Sequence, residues 1–125
     1  MIYGIGIDLV EIKRIENSLN KFGSRFINRV FTEKEIEYCE SIANKFRSYA
    51  VRFAAKEAFF KATGIGWRKG FTLKDVGVLN DEFGRPYLIL KGKAKEFTEK
   101  MCISNIQLSL SHIQRIATAI VILEK

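Results

Sequence analysis

The 125-residue chain contains one proline, one histidine and two cysteines, and it lacks internal repeats, low-complexity stretches and linker-like segments. Cys39 and Cys102 lie far apart without metal-site spacing, which predicts reduced thiols and no structural metal. No apolar run approaches the ~20 residues that span a bilayer. The first residues also lack the basic region of a signal peptide. We therefore expect a single domain over residues 1–125, located in the cytoplasm and not in a membrane.

An excess of positive charge is the main compositional signal. The chain has 21 Lys and Arg against 14 Asp and Glu, for a formal net charge of +7. This charge attracts nucleic acids, nucleotide phosphates or an acidic protein, and composition alone does not choose among them. The basic residues are scattered among acidic ones and show no known nucleic-acid motif. We therefore expect no nucleic-acid partner, although a nucleic-acid-binding module is the main alternative from another functional class.

The N-terminal segment predicts a strand followed by a helix. Residues 2–8 are β-branched and aromatic except for Gly4 and Gly6, and alternation places both glycines on the face that carries Asp8. From Leu9 onward, apolar residues recur at helical spacing to about residue 19. Asp8 could therefore be the N-cap of this helix. Alternatively, open space beside the glycines leaves its carboxylate available to a cation.

The rest of the chain predicts helices first and strands later. Thr32 and Glu35 form a capping box before one helix, and residues 46–63 predict a longer, mostly buried helix that ends at Gly64. A further short helix carries Ala94, Phe97 and Met101 on one face. The predicted late strands are residues 76–80, 87–90, 106–111 and 116–123. This order favours an α+β fold in which helices pack on a largely antiparallel sheet.

Four charged residues interrupt the apolar surface of the long helix: Arg52, Lys56, Glu57 and Lys61. A structural ion pair between Glu57 and Lys61, four residues apart, is one explanation. If the first strand packs on this helix, Asp8 and Glu57 could instead supply two hard oxygen ligands. Magnesium is usually held in this way, by one or two carboxylates together with water and the phosphate oxygens of a substrate.

Two segments carry a family resemblance. The GID at residues 6–8 and the RFAAKEAFFKATG at residues 52–64 resemble the two signatures of the phosphopantetheinyl transferases. Their spacing and the short chain resemble the compact holo-(acyl-carrier-protein) synthase branch. Weaker similarities are EIKR at residues 11–14, GRPY at 84–87 and LSLSH at 108–112. The resemblance covers essentially the whole chain and implies a 4'-phosphopantetheinyl transferase-like fold.

The resemblance also implies an activity. A serine hydroxyl of apo acyl carrier protein attacks the β-phosphate of coenzyme A, 4'-phosphopantetheine is transferred, and adenosine 3',5'-bisphosphate leaves, in support of fatty acid biosynthesis. By the same resemblance Asp8 and Glu57 hold Mg²⁺, which neutralises charge on the phosphoryl oxygens. Lys61 then stabilises the leaving phosphate as a cation or proton donor. Either a carboxylate or a water on the metal could accept the serine proton.

Contacts to coenzyme A are implied in the same way. Arg52 and Lys56 suit its 3'-phosphate and neighbouring oxygens, and Arg52 offers a bidentate fork. Gly64 and Pro86 would shape the nucleotide pocket. His112, as a lone histidine at a strand end, is more often structural, but the resemblance places it against a phosphate. The expected contacts to coenzyme A are therefore Arg52, Lys56, Lys61, Gly64, Pro86 and His112.

The early helices carry a basic face. Its residues are Lys13, Arg14, Lys21, Arg25 and, less centrally, Arg29. This is either an ordinary solvated helix face or, by resemblance, the docking surface for the acidic recognition helix of acyl carrier protein, with Arg14 at its centre. Members of this branch form homotrimers with sites between subunits, so we expect a homotrimer. An inert structural trimer is the second alternative function, but it leaves the combination of Asp8, Glu57 and Lys61 unexplained.

Overall fold

A long helix crosses the middle of the computed structural model, which describes residues 1–66 and 70–125. The chain runs β1 (Ile2–Glu11), α1 (Ile12–Phe22), α2 (Ser24–Val30), α3 (Glu33–Ser41) and α4 (Lys45–Thr63). A 3-10 turn (Leu73–Asp75) then leads to β2 (Val76–Asn80), β3 (Pro86–Leu90), α5 (Gly92–Lys100), β4 (Asn105–His112) and β5 (Ile116–Glu124). None of the helices in the described part of the chain is long and apolar enough to cross a membrane.

All strand pairs are antiparallel, which confirms the predicted fold class. The strands form two sheets: a three-stranded sheet in the order β1-β5-β4, and the hairpin β2-β3. The core consists of two apolar clusters that meet at α4, one against β2 and β5 and the other against α1 to α3. The predicted αL end of α4 is confirmed, since Gly64 has φ of 80°.

The boundary between β1 and α1 differs from the predicted one. The strand continues to Glu11, which pairs with Ile116 of β5, and the helix begins only at Ile12. Asp8 lies inside the strand opposite Ala119, so the N-cap interpretation of Asp8 is wrong. The apolar spacing predicted a helix from Leu9 onward, but Leu9 lies on the outer face of the strand, where it is 67% exposed.

Two glycines allow α4 to lie directly on β1. A Cβ atom at Gly4 would sit 2.0 Å from the carbonyl oxygen of Ala62, and one at Gly6 would sit 1.9 Å from that of Ala58. The expected open space beside Asp8 is therefore occupied by helix backbone. The absence of two side chains sets the distance between the strand that carries Asp8 and the helix that carries Glu57.

A buried ion pair joins α3, α4 and β2. The Glu35 carboxylate accepts hydrogen bonds from Lys56 Nζ (2.7 Å), Thr32 N (2.9 Å) and Val78 N (2.9 Å). Both side chains of the pair are fully buried. The capping box predicted at Thr32 and Glu35 is confirmed, and its acidic residue also neutralises the buried lysine.

Replacement of Gly6 by alanine tests the close approach. We expect Gly6→Ala to lower the free energy of unfolding by about 3 kcal/mol, because the new methyl group meets helix backbone that cannot turn away. Urea denaturation followed by circular dichroism measures the loss. Gly77→Ala is the matched control, since its Cβ would lie 3.4 Å from Thr32 Cγ2, which is an ordinary van der Waals distance. Equal losses in the two variants would contradict the close-packing explanation.

A charge-specific change tests the buried pair. Glu35→Gln keeps the size of the side chain but leaves the Lys56 ammonium without its counter-ion, so we expect a loss of about 3–5 kcal/mol in the free energy of unfolding. Glu33→Gln, an exposed change in the same helical turn, should alter stability by less than about 0.5 kcal/mol. The explanation fails if Glu35→Gln unfolds at the same urea concentration as the unchanged protein.

Candidate active site

Asp8 and Glu57 line the same cavity, whose volume is about 280 Å³. They meet there because β1 and α4 pack against each other at Gly4 and Gly6, four and two residues before Asp8 on the strand. The Asp8 side chain is only 14% exposed, while Glu57 is half-buried. The structure therefore brings together the two carboxylates that were predicted as a pair.

Lys61 crosses from α4 to the same strand. Its Nζ donates hydrogen bonds to Asp8 Oδ1 (3.0 Å) and to the backbone carbonyl of Ile7 (3.0 Å). The Lys61 side chain is 55% exposed, so its ammonium is anchored at one side and open to solvent at the other. The Lys61 ammonium can therefore contact a negatively charged ligand at the surface without a large movement of the side chain.

The donor set fits magnesium better than a metal caged by protein ligands. Within residues 1–66 and 70–125, no three His, Cys, Asp or Glu side chains come close enough together to hold a metal ion. Two carboxylates on one cavity leave most coordination positions to other oxygens. Magnesium accepts this arrangement because it keeps several waters and binds substrate phosphates.

A second, larger cleft contains half of the predicted coenzyme A contacts. Its volume is about 550 Å³, and its lining includes Arg52, Pro86 and His112. Arg47 and Arg85 also line it, whereas no Asp or Glu does. Three arginines and a histidine without a nearby carboxylate among the lining residues make this cleft a site for a multiply charged anion.

Sequence reasoning missed two of these arginines. Arg85 lies between Gly84 and Pro86, inside a stretch already singled out, and Arg47 lies in the first turn of α4. Their contribution depends on the hairpin β2-β3 folding back toward α4, which no local pattern indicates. The resemblances at GRPY and LSLSH pointed toward this region, but not to these two arginines.

Lys61 and Gly64 do not line the arginine cleft. Gly64 follows Arg52 by twelve positions, which corresponds to about 18 Å along a helix. The cavity with Asp8 and Glu57 shares no lining residue with the cleft. In the single chain, the carboxylates and the arginines therefore line two separate cavities.

Lys56 has a structural role and must be withdrawn from the expected coenzyme A contacts. Its ammonium donates to Glu35, to the carbonyl of Leu73 (3.2 Å) and to the carbonyl of Val76, so its three protons have partners inside the protein. Burial lowers the pKa of Lys56, and the Glu35 carboxylate opposes that shift. A ligand phosphate has no free donor to bind at this lysine.

The predicted docking residues lie next to the carboxylate cavity. Arg14 lines that cavity together with Ser18 and Phe26. Ser18 and Phe26 also line a neighbouring hollow that includes Phe22, Arg25 and Arg29. The exposed Lys21 lies over the Phe22 ring, with Nζ 5.3 Å from its centroid. Lys13 is less available than the arginines, because its ammonium is paired with Glu16 at 2.6 Å.

The outer face of the three-stranded sheet is apolar along β1 and the neighbouring part of β5, and its β1 residues are exposed. Ile5, Ile7 and Leu9 of β1 are 55%, 58% and 67% exposed, and they alternate with the residues that face α4. Ile120 and Ile122 of the central strand β5 are half-buried next to them. A contiguous apolar face of this kind is typical of an interface with another chain.

Comparisons with known proteins agree with this fold. Residues 4–121 match the family described as the 4'-phosphopantetheinyl transferase superfamily. A holo-(acyl-carrier-protein) synthase from Syntrophus aciditrophicus is 50% identical over 124 residues, which cover 99% of this chain and 97% of that protein.

Solved structures give the same result. The holo-(acyl-carrier-protein) synthase of Neisseria meningitidis superposes with a TM-score of 0.91 at 38% identity, with all of both chains covered. That of Bacillus anthracis, described as a complex with CoA (3',5'-ADP), gives a TM-score of 0.82 at 37% identity and covers 99% of this chain and 97% of its own.

Proposed function

Since the chain belongs to the 4'-phosphopantetheinyl transferase superfamily, we propose that it is a holo-(acyl-carrier-protein) synthase. It transfers 4'-phosphopantetheine from coenzyme A to a serine of apo acyl carrier protein in the cytoplasm, and the product serves fatty acid biosynthesis. The convergence of Asp8, Glu57 and Lys61 at the contact of β1 with α4 carries this proposal. Similarity to a structure described as a complex with CoA (3',5'-ADP) supports coenzyme A as the donor.

The reaction moves one phosphoryl-linked group. The serine oxygen of the carrier forms a bond to the β-phosphorus of coenzyme A, and the bond from that phosphorus to the bridging oxygen breaks. Adenosine 3',5'-bisphosphate leaves with that oxygen, and the serine proton passes to a carboxylate of the site or to water. Lys61 is well suited to the leaving phosphate, because its ammonium is half-exposed yet held beside Asp8.

Asp8 and Glu57 are the proposed magnesium ligands. When bound, magnesium supplies positive charge to the pyrophosphate and so favours departure of the nucleotide. The two carboxylates and the pyrophosphate all carry negative charge, so a metal ion held between them would favour binding of the donor at this position. Lys61, paired with Asp8, is the cation among the three proposed catalytic residues.

The arginine cleft is the proposed site for the nucleotide end of coenzyme A. Arg52 and His112 face a phosphate, and Pro86 contributes an apolar wall. Arg47 and Arg85 add positive charge at the same cleft. We place Lys61 and Gly64 at the pyrophosphate end of the ligand, at the opposite end of α4.

We propose a homotrimer, because each subunit separates the carboxylates from the arginine cleft. Two observations support this assembly: the cavities share no lining residue, and the outer sheet face carries exposed Ile5, Ile7 and Leu9. Contact between that face and a neighbouring chain would bury the isoleucines and bring the cleft of one subunit toward Asp8 and Glu57 of another.

Acyl carrier protein is the proposed partner of the basic face around Arg14. The face combines Arg14, Arg25 and Arg29 with the half-exposed ring of Phe22, which suits an acidic helix with an apolar side. Its position beside the carboxylate cavity would bring the carrier serine to the reacting phosphate. Electrostatic attraction of this kind mainly raises the association rate and weakens with salt.

Intact-mass spectrometry of apo acyl carrier protein tests the reaction. With coenzyme A and Mg²⁺, we expect the carrier to gain one phosphopantetheine group, and a chelator should abolish the gain because it removes the positive charge that the proposed metal supplies to the pyrophosphate. Glu57→Gln should retain its circular dichroism spectrum and lose most of the activity. The transferase proposal fails if folded protein modifies none of several apo carriers; the metal assignment fails if the chelator or Glu57→Gln has no effect.

Arg14→Ala tests the docking face. We expect KM for the carrier to rise several-fold at low salt and by a larger factor than KM for coenzyme A, because Arg14 lines the carboxylate cavity at the basic face but does not line the arginine cleft. Steady-state kinetics at two salt concentrations separates the two constants. Lys34→Ala removes an exposed positive charge from another face and is the control. An equal effect of the two variants would show that only net charge matters.

Ile5→Arg tests the assembly. Sedimentation equilibrium should give three copies for the unchanged chain and a smaller species for the variant, because a charge is placed in an apolar contact. Activity should fall together with the mass, since the site needs two subunits. Ile113→Arg, at a side chain with 68% exposure outside this face, should remain trimeric. A fully active monomer would refute the shared site.

A further inference from the structure

Arg52 is an almost completely buried cation that forms no salt bridge within residues 1–66 and 70–125. Only 5% of the residue is exposed. Its Nη1 donates to the hydroxyl of Ser48 (2.8 Å) and to the carbonyl of the same residue (3.3 Å). Its Nε is buried and has no hydrogen-bond partner within the described part of the chain. A buried donor without a partner lowers the stability of the fold, so the position of Arg52 Nε needs a physical reason.

The arginine cleft offers that explanation. Arg52 lines it, and a phosphate that enters can accept hydrogen bonds from an arginine whose Nη1 alone is engaged by the protein. Such a contact is effective only if the guanidinium is already oriented, because an arginine side chain otherwise loses considerable rotamer freedom on binding. Whatever orients Arg52 therefore contributes to ligand affinity.

Two neighbours fix the guanidinium from different helices. On α3, the ring of Tyr38 lies against it, with 4.5 Å between the Arg52 Cζ atom and the ring centroid. This is well inside the ~6 Å range of a cation–π contact. On α4 itself, the Ser48 hydroxyl that accepts from Nη1 is also 3.1 Å from Cys39 Sγ, a buried thiol of α3.

We infer that Tyr38 is a positioning residue, whose ring holds the Arg52 guanidinium in the orientation that binds a phosphate of the nucleotide. This inference rests on the proposed function, which identifies the cleft as the nucleotide site. Tyr38 acts through Arg52 and needs no hydroxyl to do so, because the contact is made by the face of the ring.

A competing role for Tyr38 is direct contact with the ligand. Tyr38 is 42% exposed and lines the cleft, so its ring could stack on the base of the nucleotide. The two roles differ in one measurable respect. A ring that acts through Arg52 loses its influence once Arg52 is removed, whereas a ring that stacks on the base keeps it.

Calorimetric titration with adenosine 3',5'-bisphosphate measures this coupling. We expect Tyr38→Leu to weaken binding roughly three- to tenfold and Tyr38→Phe to bind within about twofold of the unchanged protein. Arg52→Gln should weaken binding roughly tenfold or more. Tyr38→Leu combined with Arg52→Gln should bind as weakly as Arg52→Gln alone. Additive losses in the double variant, or an unaffected Tyr38→Leu, would overturn the inference.

Kinetics gives a second readout. In Tyr38→Leu, KM for coenzyme A should rise by the factor by which binding of the bisphosphate is weakened. The kcat at saturating coenzyme A should stay within about twofold of that of the unchanged protein. Tyr87→Leu is the control, because Tyr87 has the same 42% exposure but does not line the cleft. A fall in kcat with unchanged KM would refute positioning of a binding group.

The two proposals fail separately. Protein that binds the bisphosphate with the expected coupling but does not modify any carrier would refute the transferase activity and leave the role of Tyr38 standing. Protein that modifies the carrier although Arg52→Gln binds the bisphosphate normally would support the transferase and overturn the inference.

Discussion

The backbone contact between β1 and α4 is the constraint on which the rest of the molecule depends. Gly4 and Gly6 present no side chains, so the helix lies against the strand at backbone distance. That separation is what places Asp8 and Glu57 on one cavity and allows Lys61 to reach the carbonyl of Ile7. A larger residue at either glycine would move the helix outward and separate Asp8 from Glu57 and Lys61.

Much of this arrangement could be predicted from the sequence, because several signals were local. The capping box at Thr32 and Glu35, the αL end at Gly64 and the antiparallel pairing of the late strands each follow from short patterns. The boundary between β1 and α1 could not be predicted, because the apolar residues around Leu9 fit both the spacing of a helix and the alternation of a strand. Pairing with β5, a partner more than a hundred residues away, decides the outcome.

Lys56 shows a different limit. The signature segment places it beside Glu57, and the resemblance implied a phosphate contact, yet its ammonium lies in the interior with Glu35. Sequence spacing identifies the face of a helix, but which element covers that face is a tertiary fact. The same limit concealed Arg47 and Arg85, whose cleft exists only when the hairpin lies beside α4.

The buried Glu35–Lys56 pair also has a consequence for motion. It ties α4 to α3 and β2 on one side, while the glycine contact ties it to β1 on another, so both contacts resist rolling and sliding of the helix. Adjustment to a ligand would then involve mainly individual side chains. The Lys61 side chain is 55% exposed against 14% for Asp8, so it has more room to move and, under the proposed function, could follow the departing phosphate.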